Sequence, residues 1–188
     1  MRSLKKQLIT MTITSLLIMT FLTIPAAAVT TAEGQPALNY DVYLKLGNIQ
    51  GESTNKEFRD WIAVTGVEFE ALNTSSKNGR ATGRVVLNHF TITKEVDAAS
   101  IPLFMATASG EVIQDGQLVF VTQGQSTATI LTITLSPVQV TGYNFNNGFE
   151  TINLQAPTIH MSYSTLNDKG SKNPQIIGGW DFIMNKKK

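Results

Sequence analysis

The sequence predicts a mainly β fold: a small antiparallel β-barrel of two packed sheets with one short lateral α-helix. Apolar and polar residues alternate along most of the chain, with the period of a half-buried strand. Only residues 100–109 carry helix signals instead. Seven or so strands with one helix fit the length of one domain and favour two antiparallel sheets packed face to face.

The first 28 residues have the pattern of a secretory signal peptide. Three basic residues precede an apolar run at residues 8–24, and Ala26 and Ala28 form an A-x-A cleavage site. We expect cleavage after Ala28 and export to the periplasm or the extracellular medium. The alternative is an uncleaved membrane anchor, but the run is diluted by threonine and is shorter than the about 20 residues of a spanning helix.

The charge and composition of the remaining chain exclude several classes of function. Without residues 1–28 the chain has 12 basic and 14 acidic residues, a net charge of −2. The one basic cluster, Lys186 to Lys188, is typical of a solvated tail, so we expect no nucleic-acid partner. No second apolar run of spanning length follows the signal, so we expect no membrane contact after its removal. The absence of cysteine excludes disulfides and cysteine nucleophiles.

The predicted elements begin after a polar, proline-containing lead at residues 29–37, which we expect to be flexible, and they form one domain at residues 38–188. Val42, Leu44 and Leu46 alternate with polar residues in the first strand. Further strands are predicted at residues 61–69, 84–94, 117–122, 128–140, 150–166 and 176–184. Loops or turns are predicted at residues 51–56, 73–83, 123–126 and 144–148.

Local chemistry predicts the helix. Ser100 is suited to cap its free N–H groups, Pro102 falls in the first turn, and Gly110 follows its last residue. Asp97 lies just upstream, where a negative charge suits the helix dipole. Because its apolar residues cover more than one face, we expect the helix to pack against a sheet.

Short motifs follow one another in order from about residue 41 to the C-terminus. They are YLKL at residues 43–46, IQGES at 49–53, WI at 61–62 with Val64, FTITK at 90–94 with Val96 and Asp97, Ala99 and Ser100 with Ala106, Ala108 and Gly110, and GWD at 179–181. In this order and spacing they resemble the hemolysin-coregulated proteins (Hcp), which form the inner tube of bacterial type VI secretion systems.

The resemblance implies a small barrel with a lateral helix that assembles into six-membered rings, which stack into a hollow tube. In that family a contracting sheath propels the tube behind a spike protein, and the ring interior holds small effector proteins. The resemblance implies no catalysed reaction and no cofactor. Tube proteins normally lack an N-terminal signal, so the predicted signal peptide is a departure from the family pattern.

A closed ring of identical subunits needs contacts between two different surfaces, and sheet edges supply unpaired backbone groups for them. As candidate subunit-interface residues we single out Gly51, Glu52, Ser53, Lys94, Asp97, Trp180 and Asp181. Turn geometry and solubility explain Glu52 and Ser53 equally well. By the alternative interpretation, Lys94 and Asp97 form local charge pairs, while Trp180 anchors the core or a barrel end with Asp181 facing outward.

Two other classes of function stay open. A monomeric exported barrel could bind a peptide or glycan through the loop at residues 73–83 or the turn at 144–148. A hydrolase would need His89 or His160, but both lie in predicted strands, and no zinc-ligand spacing, nucleophile elbow or phosphate-binding glycine loop is present. We therefore expect a structural protein with no catalytic, metal or cofactor site.

Overall fold

Two antiparallel β-sheets and one α-helix make up the part of the chain that the computed structural model describes, residues 40–74, 83–123, 128–167 and 170–188. The predicted signal peptide at residues 1–28 and the lead at 29–37 lie outside these residues. So do most of the predicted loop at 73–83 and most of the turn at 123–126.

The described strands and the helix have the following bounds: β1 Tyr40–Leu46, β2 Ile62–Val64, β3 Gly66–Asn73, β4 Val85–Glu95, α1 Ser100–Ser109, β5 Val112–Ile113, β6 Gly116–Thr122, β7 Thr129–Leu135, β8 Val138–Asn146, β9 Phe149–Gln155, β10 Thr158–Tyr163, β11 Ile176–Asp181 and β12 Lys186–Lys187. The seven-stranded sheet has the order β12-β11-β10-β7-β6-β1-β2, and the five-stranded sheet the order β3-β4-β9-β8-β5. The predicted mainly β class with two packed antiparallel sheets and one short helix is confirmed. Among the described strands, the two sheets do not close into a continuous barrel.

The core lies between the two sheets. Three alternate residues of β1 are at most 2% exposed, namely Val42, Leu44 and Leu46. The alternation of apolar and polar residues along this strand predicts that burial. From the five-stranded sheet, Phe90 and Ile152 belong to the same buried cluster. Burial of such apolar surface, at about 25 cal/mol per Å², is the main force that holds the sheets together.

Three predicted strands are each divided between the two sheets. The run at residues 61–69 leaves the seven-stranded sheet after β2 and enters the five-stranded sheet at β3, turning at Thr65. The runs at 128–140 and 150–166 change sheets at Pro137 and Pro157. A proline has no N–H to donate to a ladder, so it marks such corners. These corners raise the number of described strands above the seven or so predicted.

The predicted turn at residues 144–148 is a tight hairpin between β8 and β9. Asn146 pairs with Phe149, and the two residues between them, Asn147 and Gly148, have φ angles of 50° and 86°. Two successive left-handed residues are typical of the turn that matches the twist of paired strands, which explains the Asn-Gly pair.

The helix α1 ends where predicted, at Ser109 before Gly110, but its N-terminus differs from the prediction. Ala99 is the N-cap residue, and Ser100 is the first helical residue. The Ser100 hydroxyl accepts the Asp97 N–H at 3.0 Å, and Asp97 Oδ1 accepts the Ala99 N–H at 2.9 Å. The acidic residue therefore fixes the entry to the helix in place of a capping serine. Within the described ranges, no helix has the length and apolar character of a membrane span.

Candidate functional site: subunit-contact surfaces

A buried ion cluster lies where β4 and β9 meet the start of α1. The side chains of Lys94 and Glu150 are both 0% exposed, and Lys94 Nζ lies 2.5 Å from Glu150 Oε2. The same ammonium contacts Asp97 Oδ1 at 2.7 Å and Ser100 Oγ at 3.3 Å. The predicted Lys94–Asp97 pair is therefore present, but the dominant partner, Glu150, is distant in sequence and was missed.

Tyr143 extends the ion cluster to β8. Its hydroxyl donates to Glu150 Oε1 at 2.5 Å. Burial, together with the hydrogen bond and the negative charge of Glu150, raises the pKa of Tyr143 to about 12. For Glu150, burial alone would raise the pKa, but hydrogen bonds from Lys94, Tyr143 and Ser100 outweigh it, and the pKa is lowered. The carboxylate is thus held ionised, and it joins three strands to the helix.

The segment with Gly51 and Ser53 lies against the start of the edge strand β2. The Gly51 N–H donates to the Asp60 carbonyl at 2.8 Å, and the Ser53 N–H donates to the Trp61 carbonyl at 3.0 Å. A Cβ on Gly51 would lie 2.5 Å from the Trp61 carbonyl oxygen and 2.6 Å from Ile62 Cα. Glycine is required here because two backbone segments meet without space for a side chain.

Glu52 is exposed beside this close contact. It lines a surface cleft that Glu95, Val96 and Asp97 also line. The structure therefore brings two groups of the predicted interface residues, Glu52 and Asp97, to one acidic region near β2.

Trp180 and Asp181 lie on β11, toward the opposite edge of the seven-stranded sheet. Trp180 is half-buried and packs against the core, as an anchor would. The expectation that Asp181 faces outward is wrong. Its side chain is buried, and Oδ1 accepts the N–H groups of Ile183 at 3.0 Å and Met184 at 2.8 Å. The carboxylate therefore caps the turn that follows β11.

The apolar surface of β11 was missed in the sequence. Ile176 and Ile177 are 72% and 59% exposed. The short strand β12 pairs only with Trp180 and Asp181, so the described part of the chain places no strand outside Ile176 and Ile177. The sequence does contain an indication of this surface, because two adjacent isoleucines precede Gly178 and Gly179. Successive side chains of a strand point to opposite faces, so two adjacent apolar residues make both faces of the strand apolar.

Helix α1 exposes a second apolar group. Ile101, Phe104 and Met105 are each at least half exposed, whereas Leu103 and Ala106 are buried. The prediction that the helix packs against a sheet therefore holds for one face, which lies on β8. The opposite face is apolar and open.

The two histidines lie in different sheets. His89 on β4 approaches Glu68 at 3.3 Å and Glu70 at 3.8 Å. His160 is exposed on β10, opposite Thr134 and Gly179. The described residues contain no cluster of three or more side chains suited to hold a metal ion.

Comparison with known proteins identifies the family. Residues 43–167 match the family model described as "Type VI secretion system effector, Hcp". The match covers well over half of the chain, so the chain belongs to the Hcp family of type VI secretion system proteins. No curated protein sequence matches the chain.

Solved structures agree with this assignment. One described as a type six secretion system protein is 27% identical, with a TM-score of 0.72, and the match covers 79% of this chain and 99% of that one. Hcp1 from Salmonella typhimurium is 25% identical, with a TM-score of 0.65 and coverage of 80% and 100%. Hcp2 from Salmonella typhimurium, at 23% identity and a TM-score of 0.62 over 78% and 99%, shows the same fold.

A double-mutant cycle tests the ion cluster. We expect Lys94→Met or Glu150→Gln alone to lower the free energy of unfolding by about 3 kcal/mol, because each leaves a buried partner without its counter-charge or full hydrogen bonding. Lys94→Met with Glu150→Gln should destabilise no more than either single change. Chemical denaturation measures all four proteins, and fully additive losses would contradict the coupling.

The stability contribution of Glu150 should depend on pH in a defined direction. Because its folded pKa is lowered, the contribution is present above the ordinary carboxyl pKa of about 4.3 and is lost as pH falls through the folded value. We expect the stability difference between wild type and Glu150→Gln to shrink below about pH 4. A difference unchanged between pH 7 and pH 3 would be inconsistent with an ionised, paired carboxylate.

Gly51→Ala should destabilise the fold by about 2 kcal/mol, since its Cβ collides with rigid backbone. Gly178→Ala is the matched control, because a Cβ there meets nothing within 4 Å. Thermal unfolding of both variants is the measurement. Equal shifts in Tm would show that residues 51 and 61–62 do not pack this closely.

Proposed function

We propose that this protein is the ring-forming subunit of a type VI secretion tube, exported and able to hold effector proteins within the ring. Membership of the Hcp family supports the tube role. The observation that carries ring formation is the pair of unlike edges of the seven-stranded sheet. One edge is the apolar, partly unpaired β11, and the other is β2 with the segment at residues 51–53.

Unlike edges suit a head-to-tail contact. When one surface of a subunit binds a different surface of the next, the contact repeats and closes into a ring at a fixed rotation. In an antiparallel strand alternate residues direct their backbone groups away from the neighbouring strand, so one of Ile176 and Ile177 has an N–H and a C=O that point away from β10. These groups would pair with the next subunit, and the exposed side chains of both isoleucines would leave water.

Charge supports the same pairing. Exposed Lys186 and Lys187 lie beside the β11 edge. Glu52 and Glu95 are exposed near the β2 edge. In a head-to-tail ring these opposite charges would face each other and set the orientation of the contact.

Among the candidate interface residues, this arrangement gives Glu52 a direct role and the others supporting roles. Gly51 and Ser53 hold Glu52 against β2, and Trp180 and Asp181 fix β11 and the turn before β12. Lys94 and Asp97 belong to the buried ion cluster and set the position of the acidic cleft. The proposed partners are further copies of the chain, with effector and spike proteins by family analogy.

The predicted signal peptide supports a second candidate function, that of an exported binding module. A subunit exported before assembly would act in the periplasm or outside the cell, where a monomeric barrel could serve as a binding module. Oligomeric state separates the two proposals.

We expect residues 29–188 to elute as a hexamer in size-exclusion chromatography with light scattering, and to form rings in negative-stain electron microscopy. Ile177→Asp should shift the protein to monomer, because it places a charge in the proposed apolar contact. Ile101→Asp is the control, since Ile101 is 75% exposed on α1 and belongs to neither of the two proposed edge surfaces. A monomeric wild type would favour the binding module, and rings that persist in Ile177→Asp would exclude the β11 contact.

A further inference from the structure

The five-stranded sheet is open between the start of β4 and the end of β9. Strand β4 begins at Val85, but β9 pairs with it only from Thr91 to Glu95. After β9 the chain leaves this sheet at Pro157. A gap is therefore left beside residues 85–89 of β4, which we name the β4–β9 slot.

The β4–β9 slot is a largely apolar cavity of about 500 Å³. That volume lies within the range of sites that hold small ligands. Its walls include Val85, Leu87, Val138, Ala156 and Phe182, of which the last three belong to the core cluster. The cavity therefore reaches from the surface to the core, and an apolar side chain that entered it would leave water.

The backbone of β4 lacks a neighbouring strand along the slot. Strand β3 pairs with one side of β4, but no described strand pairs with residues 86–89 on the other side. Successive residues of an antiparallel strand direct their N–H and C=O groups to opposite sides, so part of these groups face the slot. Backbone groups at an apolar opening need hydrogen-bond partners.

An amide group already occupies the first position along this side of β4. Asn185 Oδ1 accepts the Val85 N–H at 3.0 Å, and Asn185 Nδ2 donates to the Gly83 carbonyl at 3.3 Å. One residue of a parallel neighbouring strand makes the same two bonds, to the carbonyl before and the N–H after the residue opposite it. The start of β4 therefore binds a peptide-like amide, which favours an extended peptide over a ligand that has no amide groups.

Charge defines the ligand further. Arg84 is the only charged residue among the described residues that line the slot. Its Nη2 donates to the Phe182 carbonyl at 3.2 Å, and no carboxylate in the described ranges forms an ion pair with it. A guanidinium has five N–H donors, so Arg84 retains capacity to bind a carboxylate.

We propose that the β4–β9 slot binds an extended peptide segment of a partner protein as an added strand. One apolar side chain of the segment enters the cavity, and an acidic side chain pairs with Arg84. Residues 85–89 span about 17 Å, so the segment has about five residues in contact with β4. All the groups that form the site come from one chain, so this binding site is independent of the proposed ring.

Fluorescence anisotropy with a labelled peptide tests the proposal. The probe is the capped peptide EVTVTVE, which favours an extended chain and carries an acidic residue near Arg84 in either strand direction. We expect a Kd below about 1 mM for residues 29–188, in wild type and in Ile177→Asp alike. The neutral peptide QVTVTVQ should bind at least about tenfold more weakly, because it lacks the charge that pairs with Arg84. No binding of EVTVTVE at about 1 mM, or binding of decanoate alone, would overturn the proposal.

Charge reversal at residue 84 makes this test specific. Arg84→Glu should weaken the binding of EVTVTVE at least about tenfold and should bind KVTVTVK, which wild type does not. Arg59→Glu is the matched control, because Arg59 is exposed between β1 and β2 and does not line the slot. It should leave the affinity for both peptides unchanged, and thermal unfolding checks that both variants are folded. Equal effects of the two substitutions would contradict a contact with Arg84.

Hydrogen exchange in the wild-type protein locates the bound peptide without any substitution. Saturating EVTVTVE should slow the exchange of amides within residues 86–89 at least about threefold, because an added strand accepts their hydrogen bonds. The same peptide with N-methylated valines has the same side chains but lacks the N–H donors of a strand, so it should neither bind nor protect. Protection elsewhere with none at residues 86–89, or equal binding of the methylated peptide, would exclude an added strand in the slot.

Discussion

The buried ion pair of Lys94 with Glu150 is the constraint on which the arrangement of the helix and the five-stranded sheet depends. Two fully buried charges are tolerated only when each is paired and hydrogen-bonded, and here Tyr143, Asp97 and Ser100 complete the set. Because these groups come from β4, β8, β9 and the start of α1, the cluster ties the start of the helix to three strands of the sheet. A hydrophobic contact alone would be less directional.

The three corners of the chain determine how the two sheets are connected. At Thr65, Pro137 and Pro157 the chain passes from one sheet to the other. The two sheets are therefore connected covalently at several points while their hydrogen-bonded ladders stay separate. Where β9 departs toward Pro157, the five-stranded sheet is left open beside the start of β4, and a surface cavity lined by Val85, Leu87 and Ala156 lies there.

The two edges of the seven-stranded sheet differ in polarity and charge, as the proposed head-to-tail assembly requires. The β11 edge is apolar with lysines beside it, and the β2 edge is acidic with a glycine-dependent backbone contact. The two edges carry opposite charges, which favours a head-to-tail ring over a two-fold dimer. The exposed apolar face of α1 is a further surface that belongs to neither edge of the seven-stranded sheet.

The sequence by itself determined the β class, the end of the helix before Gly110 and a turn within residues 144–148, because each depends on neighbours within a few residues. It also contains the short motifs whose order indicates the family. Tertiary structure alone decided that Glu150 pairs with Lys94, that Asp181 turns inward to cap a turn, and that single runs of alternation divide between two sheets. Alternation reports which residues are buried but not which sheet buries them. A buried charge likewise selects its partner by proximity in space, which a local pattern does not encode.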